Sequence, residues 1–211
     1  MQPHPRVYAA DHPLIAHYLT RARDRDTRPP LFRELVGQVG AMLAYEATRD
    51  LPTRPAKVTT PLETCTGIAL AQPLTLVPIL RAGIGFAEPI LRLIPDASMG
   101  HLGLYRRESD LTPVAYYENL PASVSQGPVL LLDPMLATGG SGTAALDVLR
   151  KAGATDIRFV ALIAAPEGIE RLVEHDPDVR VFVGCIDRQL NDVGYILPGL
   201  GDAGDRLFGT L

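Results

Sequence analysis

Three glycine-rich segments carry the side chains that could do chemistry. The first, Asp133-Pro-Met-Leu-Ala-Thr-Gly-Gly-Ser-Gly-Thr143, follows the apolar run Val129-Leu-Leu-Leu132. Glycines 139, 140 and 142 let backbone N–H groups approach a ligand, and Thr138, Ser141 and Thr143 add hydroxyl donors. The helix expected next favours negative charge at its N-terminus, so the segment reads as a phosphate cradle. Asp133, at the end of the strand, is placed to accept hydrogen bonds from ribose hydroxyls. Competing glycine motifs fail on particular residues. No Lys follows the glycines as a P-loop requires, and the dinucleotide spacing is absent here and in Gly83-Ile-Gly85-Phe-Ala-Glu88. The nucleophile elbow Gly-x-Ser-x-Gly fails at Thr143. The alternative is a tight strand-to-helix turn that Asp133 merely caps.

The second segment, Val77-Pro-Ile-Leu-Arg-Ala-Gly-Ile-Gly85, ends a buried strand on Arg81. Arg81 is either a cation that meets a ligand or a side chain snorkelling from the strand end. Tyr105-Arg106-Arg107 would by itself be a solvated turn. Together these guanidinium groups suit a highly charged leaving group, because planar guanidinium takes phosphate oxygens in pairs. The third segment, 187–210, is so rich in glycine that it suggests a loose tail. Tyr195, Ile196, Leu197, Leu200, Leu207 and Phe208 ask instead to be packed. A rigid glycine-rich loop can present backbone N–H and C=O groups to the edge of a planar base without any dedicated side chain.

Such loops need a frame. Apolar runs at 74–80, 129–132, 157–164 and 179–183 alternate with helical patterns at 86–93, 143–152 and from Pro166 to before Pro177. Short continuous apolar strands separated by helices predict a parallel sheet covered on both faces, with ligands beyond the carboxyl ends of the strands. Upstream, Asp11 is expected to cap a helix running to about Arg23. A second helix from about Pro30 carries Leu31, Leu35, Val39, Met42 and Glu46 on one stripe, weakened by Gly37 and Gly40. Residues 50–73 read as loops and short strands, and about 99–119 as a hairpin arm. The last twenty residues read as loop rather than helix, and no repeat or linker divides the chain.

At 211 residues and 46% hydrophobic content, the chain suits one α/β domain with a sizeable core. Its apolar runs fall far short of the roughly 20 residues a membrane span needs, and Met1-Gln-Pro-His-Pro-Arg6 lacks a secretory h-region. Cys65 and Cys185 stand apart without metal-ligand spacing, as reduced thiols in a cytoplasmic protein would. The net charge of −4 argues against a partner made of nucleic acid. Of 20 basic residues only Lys57 and Lys151 are lysines, a skew that reflects genome composition better than function.

At these residues the chain resembles the uracil phosphoribosyltransferases over nearly its whole length. Four blocks carry the resemblance: Pro78-Ile-Leu-Arg-Ala-Gly-Ile-Gly85, Asp133-Pro-Met-Leu-Ala-Thr-Gly-Gly-Ser141, Ala164-Ala-Pro-Glu-Gly168 and Gly194-Tyr-Ile-Leu-Pro-Gly-Leu-Gly-Asp-Ala-Gly-Asp205. The last is the strongest, since other phosphoribosyltransferases lack it. Pro134 stands where most of them have a second acidic residue. The resemblance implies a type I phosphoribosyltransferase-like α/β fold, a parallel sheet flanked by helices. To it are added a β-hairpin arm and a C-terminal base-binding hood over 187–211.

It also implies the reaction of uracil with 5-phosphoribosyl-1-diphosphate (PRPP) to give UMP and diphosphate. Asp133, Pro134, Met135, Leu136, Ala137, Thr138, Gly139, Gly140 and Ser141 would then hold the ribose and its 5-phosphate. Arg81 and Arg106 would bind the diphosphate with Mg²⁺, the metal held mainly through PRPP. Ile196, Gly201, Asp202 and Ala203 would meet uracil largely through backbone atoms, with Asp202 also near the PRPP and metal end. Arg81, Arg106, Asp133 and Asp202 would act electrostatically, with no covalent nucleophile. The family further implies a homodimer or homotetramer, with the 99–119 arm as a contact surface, and GTP as an effector of some members. In the arm, Glu108-Ser-Asp-Leu-Thr-Pro113 departs from the usual Glu-Thr-Leu-x-Pro run and Leu104 replaces a frequent Met. Three other readings stay open: an RNA-binding pyrimidine regulator on the same fold, a phosphoribosyltransferase for another base, and a binding module without catalysis.

Overall fold

The computed structural model describes residues 5–106 and 113–210. In chain order the elements begin with β1 (Val7–Ala9), α1 (Pro13–Arg23), α2 (Pro29–Ala47), β2 (Thr53–Thr59), β3 (Thr64–Leu70), β4 (Thr75–Leu80) and α3 (Ile84–Leu93). There follow β5 (Ser98–Met99), β6 (His101–Arg106), β7 (Pro113–Asn119), β8 (Val129–Leu132), β9 (Met135–Leu136) and α4 (Gly140–Lys151). The chain continues through β10 (Ile157–Ala164), α5 (Pro166–His175), β11 (Arg180–Ile186), β12 (Gln189–Leu190), β13 (Ile196–Leu197) and α6 (Ala203–Phe208).

The main sheet runs β1-β11-β10-β8-β4-β6-β7 and is parallel except where β6 turns back into β7. Helices cover both faces, which explains the unbroken apolar strands: β10 is buried along its whole length. Alternate residues of β8 serve opposite faces. Leu130 and Leu132 pack with Phe32, Val36, Phe86 and Leu207 beneath α1, α2, α3 and α6. Val129 and Leu131 pack with Leu146, Leu149, Ile169 and Leu172 of α4 and α5. Each such fully buried side chain contributes roughly 1.5–3 kcal/mol.

Several expectations shift. His12 rather than Asp11 caps α1, its Nδ1 accepting the Leu14 N–H at 3.2 Å. The buried stripe of α2 is Phe32, Leu35, Val36, Val39, Leu43 and Ala44, a rotation that leaves Leu31, Met42 and Glu46 half-buried. Gly37 and Gly40 do not weaken that helix so much as let it approach α3. A Cβ at Gly37 would lie 2.7 Å from Pro89 Cγ, and one at Gly40 2.8 Å from Phe86 Cδ1. Residues expected to be loops and short strands form one regular hairpin, β2–β3, seven residues a side. It projects with Leu62 95% and Ile68 79% exposed. By contrast the 99–119 hairpin is no free arm at its base, because β6 pairs with β4. Two starts also move: α4 begins at Gly140, three residues early, and a short helix, α6, forms where loop was expected. Asp202 nucleates α6 by accepting the Asp205 N–H at 2.9 Å, and Gly209, at φ +67°, ends it. Among the described residues no helix is long and apolar enough to cross a membrane.

Candidate active site

The strands β4, β8, β10 and β11 end on Leu80, Leu132, Ala164 and Ile186, and the three chemical segments leave from that common edge. After β8 the chain turns on Asp133, whose N–H donates to the Val160 carbonyl at 3.1 Å and whose Oδ1 accepts the Met135 N–H at 3.3 Å. Pro134 and Leu136 point into the protein, and Leu162 donates to the Pro134 carbonyl at 3.0 Å. Pro134 has no N–H and its carbonyl is taken, so it shapes the turn rather than meeting a ligand; the Leu136 carbonyl likewise accepts the Ala165 N–H at 2.9 Å.

The cradle closes at Gly139, whose φ of +76° is a conformation only glycine adopts without strain, immediately before α4. Its three glycines do different work. A Cβ at Gly140 would meet nothing nearer than Thr138 Oγ1 at 3.7 Å, so this position has room for a side chain. Gly142 faces the core, where a Cβ would lie 2.7 Å from Leu172 Cδ1. Thr143 is likewise not a ligand donor: it is buried and its hydroxyl donates to the Gly140 carbonyl at 3.0 Å. Gly168, at the start of α5, supports the loop from below, since a Cβ there would fall 2.2 Å from the Ala137 carbonyl oxygen. Arg171 also reaches the loop, donating to the Thr138 carbonyl at 3.4 Å.

The β4 turn carries Arg81, and the Leu80–Arg81 peptide is cis. Gly83 lets this turn press against the end of β8: a Cβ would come within 2.4 Å of the Leu132 carbonyl oxygen. Arg81 is 58% exposed and lies 3.3 Å from Asp205 in α6. The Thr210 hydroxyl donates to Asp205 at 2.6 Å, and that bond, helped by Arg81, holds the Asp205 carboxyl below its ordinary value. Arg106 ends β6, and Arg107 with the rest of the polar run through residue 112 lies outside the described residues.

The C-terminal segment is held rather than loose. β12 and β13 pair, and Asn191 accepts from the N–H groups of Val193 and Tyr195 at 3.1 and 2.8 Å. Ile196, Leu200, Ala203 and Leu207 are buried, whereas Tyr195 and Phe208 stay largely exposed. Gly199 and Gly201 take φ of +65° and +80°. Glu167 of α5 accepts the Leu190 N–H at 3.0 Å, which ties the Ala164–Gly168 block to the hood.

Sequence reasoning missed three residues here. Arg23, Asp187 and Arg206 fasten the hood to the α1–α2 corner, and burial lowers the Arg206 pKa. Asp187 could have been found, since it ends a buried strand as Asp133 does; nothing in the sequence marks Arg23. The site thus joins a glycine-rich strand-to-helix turn, an exposed guanidinium and a hydrogen-bonded C-terminal loop at one edge of the sheet. Among the described residues no three His, Cys, Asp or Glu side chains cluster to hold a metal. A Mg²⁺ carried chiefly by substrate phosphates takes only one or two protein carboxylates and needs no such cluster. A cavity of about 680 Å³ lined by Tyr8, Ile15, Met42, Glu46 and Phe182 shares none of these residues.

Residues 9–210 match the family model described as uracil phosphoribosyltransferase. A uracil phosphoribosyltransferase of Halalkalibacterium halodurans is 53% identical over 97% of this chain and 99% of its own. One from Dictyoglomus turgidum is 51% identical over the same shares. A solved protein of Aquifex aeolicus superposes with a TM-score of 0.92 at 41% identity, covering 96% of this chain and 97% of its own. An adenine phosphoribosyltransferase of Trypanosoma brucei, solved with AMP, pyrophosphate and ribose-5-phosphate, shares the fold at 12% identity and a TM-score of 0.61, over 96% of this chain and 90% of its own.

Proposed function

The chain belongs to the uracil phosphoribosyltransferase family, and from that premise we propose that it converts uracil and PRPP to UMP and diphosphate. Uracil N1 forms a bond to ribose C1 while the C1–oxygen bond to diphosphate breaks. The electron pair leaves with diphosphate, and the N1 proton passes to solvent. The amides from Thr138 to Ser141 hold the 5-phosphate, and Asp133 accepts from the ribose hydroxyls. Arg81 and Arg106 take the diphosphate as its charge develops. Preorganised charge of this kind lowers a barrier by several kcal/mol, because the donors need no reorientation. Mg²⁺, when bound, neutralises the diphosphate oxygens. Backbone groups of Ile196, Gly201 and Ala203 pair with the edge of uracil, and Asp202 lies between base and PRPP.

The contact between Arg81 and Asp205 is the observation that carries this reading. It brings the Arg81 turn against the helix that opens at Asp202–Ala203, which supports assigning the two ends of the reacting pair to one edge. A homo-oligomer fits the projecting β2–β3 hairpin, whose Leu62 and Ile68 stay largely exposed among the described residues.

A panel of uracil, cytosine, hypoxanthine and orotate, each with PRPP and Mg²⁺, tests the proposal through nucleotide and diphosphate formation. Uracil alone should turn over. Turnover of another base would keep the PRPP site and discard the base loop. No turnover with any base would refute the reaction.

A further inference from the structure

We infer that Arg23 and Asp187, with Arg206, are positioning residues for the base. They act as a clasp that sets the Gly199–Leu200 turn and through it the backbone groups that read uracil. The inference rests on the assignment of Ile196–Ala203 to the base.

The clasp engages both polar groups of one residue. Asp187 Oδ2 accepts the Gly199 N–H at 2.9 Å, and Arg23 Nη1 donates to the Gly199 carbonyl at 2.8 Å. The two side chains are themselves joined in a fork, Nη1 to Oδ2 at 2.8 Å and Nη2 to Oδ1 at 2.6 Å. The Asp187 side chain is only 3% exposed and that of Arg23 22%. A bidentate pair shielded from water fixes direction as well as distance. Gly199 itself has little latitude. At φ +65° it admits no ordinary side chain, and a Cβ would fall 2.1 Å from the Ile196 carbonyl oxygen. One residue on, Arg206 Nη1 donates to the Leu200 carbonyl at 2.7 Å and to the Ala22 carbonyl at 2.6 Å. Its Nη2 donates to the Asp24 carbonyl at 2.6 Å, and the guanidinium stacks 4.2 Å from the Phe32 ring centroid.

These contacts make the α1–α2 corner part of the base site without touching the base. A loop that recognises its ligand by backbone atoms has no side-chain rotamer to readjust. Its hydrogen-bond geometry is therefore set wholly by what anchors the chain on either side. Arg23, Asp187 and Arg206 are those anchors, and none of these hydrogen bonds reaches residues 133–141. Their loss should loosen uracil and leave PRPP unaffected.

Asp187→Asn and Arg23→Lys would each be assayed for the KM of uracil, the KM of PRPP, kcat and Tm, with PRPP binding measured separately by calorimetry without uracil. Asp187→Asn should raise the uracil KM on the order of tenfold and leave PRPP binding and its KM within twofold. Arg23→Lys keeps the charge but loses the fork, and should give a smaller rise of the same kind. Arg23→Met should exceed it. A uracil KM within twofold of the parent in folded Asp187→Asn and Arg23→Met would overturn the inference, as would parallel losses of uracil and PRPP binding. A parent protein that binds PRPP yet turns over no uracil would instead sink the reaction itself.

Discussion

At the amino edge of the main sheet, where β10 and β11 begin, Arg158 and Arg180 share Asp50 and Asp156. Arg158 reaches Asp156 at 2.8 Å and Asp50 at 2.6 Å and donates to the Ala47 carbonyl, while Arg180 reaches Asp156 at 2.7 Å and also meets Asp50. Arg158 is 1% exposed. Beside them Arg150 forks onto Asp176 and also satisfies the carbonyls of Ala154 and Thr155. At the carboxyl edge β4 ends on the Arg81–Gly83 turn, where Arg81 keeps an ion pair at 3.3 Å with more than half of its side chain exposed. The same side chain serves opposite ends: donors spent on the protein fasten the strands, and donors left to solvent stay available to a substrate. Charge in a sequence cannot separate the two uses; the saturation of each donor can.

Arg81→Ala should break the contrast most sharply. Its kcat/KM is expected to fall on the order of a hundredfold, about 3 kcal/mol, with Tm unchanged. Asp133→Asn should behave alike, losing turnover well before uracil affinity. Steady-state kinetics beside calorimetric melting checks both, and unaltered kinetics would remove that residue from the mechanism.

Arg158→Met is the reciprocal experiment. Removing one partner from a buried, hydrogen-bonded pair should cost about 3 kcal/mol of stability, a fall in Tm on the order of 10 °C, with kcat intact below the melt. A comparable loss of kcat at low temperature would mean that the two edges are coupled.

Ala203→Val sharpens the comparison within the carboxyl edge. Ala203 is buried in the core at the first turn of α6, so two added methyl groups overpack it at about 1–2 kcal/mol. The uracil KM should rise several-fold, while the KM of PRPP moves less.

The smallest effect is one of pH. Burial raises the pKa of Asp156, but hydrogen bonds from Arg158 and Arg180 outweigh it and hold the carboxyl below 3.8; Arg150 does the same for Asp176. A depressed folded pKa stabilises above the unfolded value and is lost as pH falls through the folded one. Tm should therefore be flat from neutral pH to about 5 and drop below about 4. Asp176→Asn should be less stable at neutral pH and less sensitive to acid.

The frame was legible in the sequence because it is local. The apolar run 157–164 coincides with β10, and Pro166 opens α5 as expected. The strand-to-helix turn at 133–140 was legible for the same reason, as a strand, an acid and glycines in one stretch. What escaped depends on distant partners. Gly37 and Gly40 read as helix weaknesses until Pro89 and Phe86 lie against them. Arg23 and Asp187 are 164 positions apart, and no periodicity within either segment points to the other. The α6 helix was hidden by glycine content, since the Asp202 cap that starts it is visible only as a hydrogen bond.

Those long separations also order events during synthesis. The strands and turns that carry the cradle and Arg81 are synthesised early, α5 must follow to support the cradle loop, and the hood needs residues near 187–206 to find Ala22 to Thr27. At about 5–20 residues per second, the earlier half has some seconds of existence without the later one. Closing so long a loop is slow as well, because its entropy is spent before the contacts form. The C-terminal loop, and with it the proposed base contacts, is thus the last part of the molecule to be placed, docking onto strands and helices synthesised before it.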